Sequence, residues 1–212
     1  MSLRLYLVRH GETTYSQTGG YCGDLDPDLT SAGIEMAEAF ATTYSAVPWA
    51  AIYSSPMKRT MATARPLCAA VGLELQLREG LKEIRYGTWE GKTQAEVKEA
   101  YGEDYLRWLT EPAWNPPTGG ETAVQIASRA SLVVAEIESK YREGNVIVFS
   151  HKATIRIILC SLLGIDLGRY RDRIAALAAS VSVIKFGELG PLLETLGDRN
   201  YLPEHLRSRE GT

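Results

Sequence analysis

The chain has 212 residues, and at about 150 residues per domain this length predicts one domain rather than two. Apolar residues make up 45% and charged residues 23% of the sequence, which is typical of a globular domain and excludes disordered and collagen-like compositions. The net charge of −3 argues against a basic nucleic-acid surface, so any anion that the protein binds must be held by a local pocket.

Membrane and export signals are not expected. The sequence has no run of 18 or more apolar residues that would span a bilayer, and the apolar stretch at its start is too short for a signal peptide. The three cysteines, Cys22, Cys68 and Cys160, are odd in number and lack CxxC spacing, which predicts neither a disulfide framework nor a zinc site. The prediction is a cytoplasmic protein without membrane contact.

The first half of the chain alternates predicted strands and helices. A helix capped by Thr30 or Ser31 follows a loop rich in glycine and aspartate, and a second helix begins at Ser55-Pro56 with proline in its first turn. Apolar or alternating runs predict three strands at Leu3–Val8, Ala50–Ser54 and Glu74–Leu77.

The second half continues this alternation after a predicted insert. Helical patterns cover Thr93–Tyr101, Asp104–Leu109, about Glu121 to Arg142, and Lys152–Leu163, with a proline- and glycine-rich loop at Glu111–Gly120. Strands are predicted at Asn145–Phe149, Ser180–Phe186 and Leu192–Leu196. The order predicts a single three-layer α/β domain over residues 1–212, with a mostly parallel central sheet, helices on both faces, and a cap-like helical insert at about 81–120.

Two histidines follow apolar strands in the same manner, as LYLVRH ending in His10 and VIVFSH ending in His151. Ligands of open α/β sheets bind outside the carboxyl ends of strands, so neighbouring strands of this kind would place the two imidazoles side by side. Arg9 precedes His10, and a sharp turn at Gly11 would bring both side chains onto one ligand. Arg59 lies near a helix N-terminus, where free N–H groups and a guanidinium fork both favour phosphate.

These residues predict attack on phosphorus by a neutral imidazole, with the transferring group stabilised by Arg9, Arg59 and His151 and with no metal. A leaving alkoxide needs a proton, so a carboxylic acid should lie nearby. By residue type the candidates are Glu12, Glu79, Glu83 and Glu90, and spacing alone does not choose among them.

Five motifs in order carry a family resemblance. The string Leu7-Val8-Arg9-His10-Gly11-Glu12-Thr13 resembles the signature of the histidine phosphatase superfamily, also called phosphoglycerate-mutase-like. The other similar segments are 53–60 (YSSPMKRT), 81–84 (LKEI) with 87–91 (GTWEG), 119–122 (GGET) and 149–151 (FSH).

The resemblance implies a role for each motif residue. His10 would be the nucleophile that forms a phosphohistidine, and Arg9, Arg59 and His151 would bind the phosphoryl group. Glu83 would protonate the leaving oxygen and then activate water. The family works without metal or other cofactor, so none is expected here.

Departures from the family pattern concern the substrate. Ser16, Cys22 and Lys152 stand where the family often has Asn, Gln and Gly, and together with Gly23 and Tyr86 they are the candidate substrate-binding residues. Lys152 has two interpretations, as a cation for a substrate carboxylate or as a solvated residue at a helix start, where a positive charge is unfavourable. Tyr86 has two as well, as a pocket wall or as packing for the cap.

The short, slightly acidic chain favours hydrolysis over mutase transfer. Segments 24–30, 53–56 and 160–167 are similar to the branch of metal-independent phosphoserine phosphatases, so the leading prediction is a phosphomonoesterase for a small metabolite, with O-phospho-L-serine first among substrates. The alternatives are a cofactor-dependent phosphoglycerate mutase, an α-ribazole or sugar-phosphate phosphatase, and a non-catalytic module that binds phosphorylated ligands. Family relatives are often dimers, which leaves a homodimer open, and the tail around His205 is predicted either to fold over the pocket or to stay mobile.

Overall fold

The computed structural model describes residues 2–209; Met1 and residues 210–212 of the predicted 1–212 domain lie outside the described residues. One six-stranded sheet runs through this part of the chain, with the strand order β3-β2-β4-β1-β5-β6. Its strands are β1 (Leu3–Arg9), β2 (Trp49–Ser54), β3 (Leu75–Leu77), β4 (Gly144–Ser150), β5 (Val181–Gly187) and β6 (Gly190–Asp198).

The sheet is mostly parallel, as predicted. β1 pairs with β4, β4 with β2, and β2 with β3, all in parallel. β5 lies antiparallel to β1, and β6 antiparallel to β5. β1 and β4 are therefore hydrogen-bonded neighbours whose carboxyl ends meet at one edge of the sheet, which is where the sequence places the two histidines.

Helices cover both faces of the sheet. They are α1 (Thr14–Thr18), α2 (Ser31–Tyr44), α3 (Lys58–Val71), α4 (Gln94–Ala100), α5 (Gly102–Thr110), α6 (Ala123–Lys140), α7 (Lys152–Leu163), α8 (Tyr170–Arg173) and α9 (Glu204–Arg207). Most of the predicted helices have these bounds to within about two residues. α2 begins after Thr30, whose hydroxyl accepts the N–H of Gly33, as the capping prediction requires.

Strand alternation assigns each helix pair to its face. Leu5 and Leu7 of β1 belong to the buried cluster that includes residues of α6 and α7, whereas Val8 belongs to the cluster with Phe40 of α2 and Leu67 of α3. Successive side chains of a strand point to opposite faces, so a continuous apolar run is buried on both. The result is the three-layer arrangement that the sequence predicts.

One helix start was predicted wrongly, and some short elements escaped prediction. α3 begins at Lys58 with Met57 as its N-cap, because Ser55 and Pro56 form the turn that leaves β2. α1, α8 and α9 have five, four and four residues, too few to show a helical period. Among residues 2–209, no helix combines the length and the apolar character needed to cross a bilayer.

The tail packs against α2 rather than over the pocket. Leu202 and Leu206 are buried in a cluster with Met36 of α2, and the imidazole Nε2 of His205 lies 2.7 Å from a carboxylate oxygen of Glu35 at an exposed site. No tail residue in the described part of the chain lines the cavity at the carboxyl ends of β1 and β4. The His205 tail therefore neither covers the pocket nor is left unpacked, but docks on α2.

The insert at 81–120 carries α4, α5 and a small aromatic core. Trp89, Tyr105 and Trp108 pack with Tyr21 from the loop after α1. The rings of Trp89 and Trp108 meet edge to face, with a centroid distance of 5.3 Å. This packing fixes the insert beside the carboxyl ends of the parallel strands.

Candidate active site

A cavity of about 640 Å³ opens at the carboxyl ends of β1 and β4. The backbone N–H of His10 donates to the carbonyl oxygen of Ser150, 3.1 Å away, which extends the β1–β4 ladder by one residue. The rings of His10 and His151 consequently lie with their centroids 5.3 Å apart. The predicted juxtaposition of the two strand-end histidines is confirmed.

His10 is buried, with 5% of its surface exposed, and lines the cavity. Its Nδ1 lies 2.7 Å from the carbonyl oxygen of Gly11; since a carbonyl only accepts, Nδ1 carries the proton and the lone pair is left on Nε2. Burial lowers the pKa of His10 well below 6.5, and the positive charges of Arg59 and Arg9 lower it further. The imidazole is therefore neutral at pH 7, the form that can attack an electrophile.

The turn after β1 is held by close packing on α2 and α3. A Cβ on Gly11 would collide with the backbone carbonyl of Gly33 in α2, so only glycine allows this approach. On the other side the N–H of Gly11 donates to the hydroxyl of Thr63 in α3, 2.9 Å away. This packing explains why a glycine follows His10 in the motif.

Arg59 is almost fully buried, with 1% exposed, yet its guanidinium lines the cavity. Nη1 and Nη2 donate to the carbonyl oxygens of Leu25 and Gly23, at 2.7 and 3.2 Å. Asp26 lies 3.4 Å from Nη1. These contacts fix the fork of donors, which suits the oxygens of a phosphoryl group.

Arg9 supplies a second buried guanidinium. Its Nη1 donates to the carbonyl oxygen of Ala176, 2.8 Å away. Burial lowers the pKa of Arg9 to about 10, partly offset by the charge of Glu83, so the side chain stays cationic at neutral pH. Arg9 and Arg59 together give the inner cavity the positive charge that the sequence predicts.

His151 lies behind Arg59, with 0% of its surface exposed, and is not among the described residues that line the cavity. Its Nδ1 accepts from Nε of Arg59 at 3.2 Å, and its Nε2 lies 2.9 Å from the hydroxyl of Ser55. Burial lowers its pKa well below 6.5, and Arg59 adds to the effect. In this arrangement His151 orients Arg59; direct contact with a phosphoryl group stays a prediction.

The four candidate glutamates differ in whether they line the cavity. Glu83 is the one that lines the cavity. Glu12 is buried but its carboxylate pairs with Arg209, at 2.7 Å, Glu79 is exposed and pairs with Lys82, and Glu90 accepts backbone N–H groups of Asp24 and Tyr86. Glu83 is thus the acid that geometry places with His10.

The carboxylate of Glu83 sits at the N-terminus of α7. It accepts the backbone N–H of Ala153 and of Thr154, each at 3.3 Å, and that of Ile84 at 2.9 Å. A helix N-terminus offers unpaired N–H donors and partial positive charge, which favour an acidic group. The helix therefore fixes the carboxyl group at the cavity wall.

Arg129 of α6 positions the segment that carries Glu83, a role that sequence reasoning missed. Its guanidinium donates to the carbonyl oxygens of Gly80, Lys82 and Glu83, at 2.8, 2.8 and 3.1 Å, and pairs with Glu121 at 3.1 Å. Nothing in the sequence links residues 46 to 49 positions apart, so this contact is visible only in the fold.

The five candidate substrate-binding residues all line the cavity. Ser16 is buried and hydrogen-bonded to Thr13 in the capping box of α1. Burial raises the pKa of Cys22 to about 11, so its side chain is a neutral thiol, and Gly23 has the positive φ of 53°. A Cβ on Gly23 would collide with the Glu90 side chain.

Tyr86 and Lys152 lie in the wall next to Glu83. The ring of Tyr86 meets that of Tyr21 at 4.9 Å and packs against the aromatic core of the insert, so Tyr86 both lines the pocket and packs the cap, and its two interpretations coexist. Burial lowers the pKa of Lys152 to about 7, with Arg9 and Arg156 adding to the shift. Lys152 is partly buried and lines the cavity, so its contact with a substrate carboxylate stays a prediction.

Further lining residues come from α7, α8 and α5, and the sequence reasoning did not select them. They are Arg156, Tyr170, Arg171 and Trp108. Arg156 follows Lys152 by four positions, a spacing that places both on one face of α7 and was readable from sequence. Arg171 lies on the four-residue α8, which has no sequence signal of its own. Within residues 2–209, no group of three or more His, Cys, Asp or Glu side chains is arranged to hold a metal ion.

Comparison with known proteins places this geometry in context. The family model described as histidine phosphatase superfamily (branch 1) matches residues 5–199. Phosphoserine phosphatase 1 of Hydrogenobacter thermophilus is 37% identical over 168 residues, which are 79% of this chain and 80% of the relative. Adenosylcobalamin/α-ribazole phosphatase of Escherichia coli is 28% identical over 162 residues, 76% of this chain and 80% of the relative. The solved structure of Bacillus stearothermophilus YhfR matches with a TM-score of 0.87 and 26% identity, over 94% of this chain and 98% of that one.

Proposed function

Because the chain belongs to the histidine phosphatase superfamily and is a phosphoric monoester hydrolase, we propose that it hydrolyses a small phosphorylated metabolite through a phosphohistidine on His10, without a metal ion. The observation that carries this proposal is the state of His10: Nδ1 donates to Gly11, burial keeps the ring neutral, and Nε2 is left as a nucleophile. Arg9, Arg59 and Glu83 line the same cavity.

In the first step Nε2 of His10 attacks phosphorus. The P–N bond forms as the ester P–O bond breaks, and the leaving oxygen takes the proton of the Glu83 carboxylic acid. Arg9 and Arg59 stabilise the negative charge on the three equatorial oxygens. Two buried guanidiniums supply the charge that a metal would otherwise supply, which is our reason for proposing a metal-independent reaction.

In the second step water replaces the alcohol. Glu83, now a carboxylate, accepts a proton from the water whose oxygen attacks phosphorus, and the P–N bond breaks with its electron pair returning to His10. Inorganic phosphate leaves, His10 is neutral again, and Glu83 is protonated for the next cycle. His151 contributes by holding Nε of Arg59.

O-phospho-L-serine is the first substrate to test, since the relative with 37% identity is named a phosphoserine phosphatase. The relative named for α-ribazole is a second reference at lower identity. A screen of phosphorylated metabolites ranked by kcat/KM decides between these classes. Fast isomerisation of 3-phosphoglycerate with its bisphosphate primer, without phosphate release, would show mutase transfer in place of hydrolysis.

We also propose that the protein is a cytoplasmic homodimer. Light scattering after gel filtration measures the number of subunits.

The direct test is hydrolysis of p-nitrophenyl phosphate by the wild type and by His10→Ala, with Lys58→Ala as the control. Lys58 is an exposed neighbour of Arg59, and its side chain makes no hydrogen bond or ion pair in the described part of the chain. We expect the His10 variant to lose activity, the control to keep it, and EDTA to leave the wild type unaffected. Equal rates for wild type and His10→Ala would exclude the reaction, and a strict need for added divalent metal would exclude the cationic-pocket mechanism.

A further inference from the structure

Three cationic side chains from α7 and α8 line the cavity. Lys152 and Arg156 come from successive turns of α7, and Arg171 comes from α8. Within residues 2–209, none of the three forms an ion pair with a carboxylate. By contrast, Arg169 and Arg173, which flank Arg171 on the chain, both pair with Asp172.

Two buried donors without partners belong to residues of the same cavity wall. Tyr170 is 1% exposed, lines the cavity, and its hydroxyl has no hydrogen-bond partner among the described residues; Nε of Arg156 has none either. A buried polar atom without a hydrogen-bond partner costs about 1 to 3 kcal/mol of folding free energy. Such atoms therefore bond to another protein group, to water or to a ligand in most proteins. Two such donors in one wall indicate a ligand group that accepts hydrogen bonds.

The guanidinium of Arg171 stacks on a tryptophan ring. Its guanidinium carbon lies 3.6 Å from the ring centroid of Trp108, a stacked cation–π geometry. Stacking occupies the face of the guanidinium and leaves its edge, with the N–H donors, for another group.

The charges of the cavity wall do not balance. The described lining has the cations Arg9, Arg59, Lys152, Arg156 and Arg171 against one acidic residue, Glu83. The first two belong to the phosphoryl site, so three cations remain. Burial lowers the pKa of Lys152 to about 7 and lowers that of Arg156 as well, because these charges are desolvated beside one another, and a bound anion would relieve that repulsion.

We propose that Lys152, Arg156, Arg171 and Tyr170 form a second anion-binding subsite, which holds a carboxylate carried by the alcohol part of the substrate. The inference rests on the proposed function, which supplies the phosphoryl site. It defines the substrate class as phosphomonoesters of hydroxy acids. The described lining has no second acidic residue for an ammonium group, so the carboxylate of O-phospho-L-serine promotes binding and its ammonium does not.

Two matched pairs of probes isolate the carboxylate. O-phospho-L-serine and O-phosphoethanolamine share an ammonium and differ in the carboxylate, which hydrogen replaces in the second. 3-Phosphoglycerate and glycerol 3-phosphate have no ammonium, and a neutral hydroxymethyl group replaces the carboxylate in the second. We expect kcat/KM to be about tenfold or more higher for the carboxylate member of each pair, the scale of one charge-assisted hydrogen bond. Ratios near one in both pairs, from an enzyme that hydrolyses p-nitrophenyl phosphate, would overturn the subsite and leave the proposed function intact.

Variants test which residues produce these ratios. Arg156→Met and Tyr170→Phe should lower both ratios toward one, with the arginine having the larger effect. Arg173→Met is the control, since Arg173 is exposed on the same short helix and pairs with Asp172, and it should retain the wild-type ratios. Equal ratios in Arg156→Met and Arg173→Met would contradict the proposal. Thermal melts show whether each variant is folded.

A binding measurement and a pH profile test the subsite further. Calorimetric affinities of the four probes test the subsite even if the wild type hydrolyses none of them, and equal affinities within each pair would contradict it. The second readout is pH, because burial, together with the charges of Arg9, Arg156 and Arg171, lowers the pKa of Lys152 to about 7, while the charge of Glu83 raises it. Both ratios should fall as pH rises through about 7 and should lose that dependence in Lys152→Met; a pH-independent wild-type ratio would remove Lys152 from the subsite.

Discussion

Replacing Glu83 by glutamine keeps the size of the side chain and removes its acid. In the fold, Oε1 accepts the N–H groups of Ile84 and Thr154 while Oε2 accepts that of Ala153, at 3.3 Å. The amide oxygen of glutamine can keep the first two contacts, and its NH2 group loses the third. The lost hydrogen bond, together with the favourable charge at the helix N-terminus whenever Glu83 is ionised, amounts to at most about 2 kcal/mol of folding free energy, so the variant should stay folded.

The expected kinetic effect depends on the leaving group. A positioned general acid contributes roughly 10²- to 10⁴-fold, so kcat/KM of Glu83→Gln should fall by that factor on the alkyl phosphate that the metabolite screen ranks first. The fall should be far smaller on p-nitrophenyl phosphate, whose aryl oxide leaves without protonation. kcat should fall on both, because the carboxylate is also the base that activates water in the second step.

Steady-state kinetics on the two substrates check this expectation, with a thermal melt for stability. Glu79→Gln is the matched control: Glu79 lies on the same segment, is exposed and pairs with Lys82, so that variant should match the wild type. An equal loss of kcat/KM on alkyl and aryl phosphates, or no loss on either, would show that Glu83 does not protonate the leaving oxygen.

Two more predictions follow from the site. Burial and two arginines lower the pKa of His10 well below 6.5. The value of kcat/KM for p-nitrophenyl phosphate should therefore stay level as pH falls to 6.5 and decline only below it. A loss of half of kcat/KM at or above pH 6.5 would contradict a neutral, buried nucleophile. Arg129→Met should lower the free energy of unfolding in denaturant by about 2 to 4 kcal/mol, since three carbonyl oxygens of segment 80–83 lose their donors. Arg142→Met, a change at an exposed residue, should have little effect. Equal losses of stability in both variants would show that Arg129 does not hold segment 80–83 in place.

The layout of the fold was readable from the sequence because its signals are local. β1 and β4 are apolar runs that end in a histidine, and the three-layer arrangement follows from strands that alternate with amphipathic helices. The register that sets His10 beside His151 also follows once the two strands are neighbours.

The remaining features depend on contacts between distant segments. Glu12 and Glu83 look alike in sequence, and only the fold shows that Arg209 pairs with the first while the N-terminus of α7 holds the second. The position of His151 behind Arg59 depends on Ser55, 96 residues away. Arg171 reaches the cavity on a helix of four residues, too short to leave a periodic pattern.

The most direct test of the account is the site of phosphorylation. Wild type and Glu83→Gln are mixed with p-nitrophenyl phosphate, denatured at alkaline pH to preserve phosphohistidine, and digested for mass spectrometry. The account predicts one phosphate on His10, lost on mild acid treatment, absent from His10→Ala, and more abundant in Glu83→Gln because water attack is slowed. Turnover without a phosphoenzyme, or phosphate on His151 in place of His10, would contradict it.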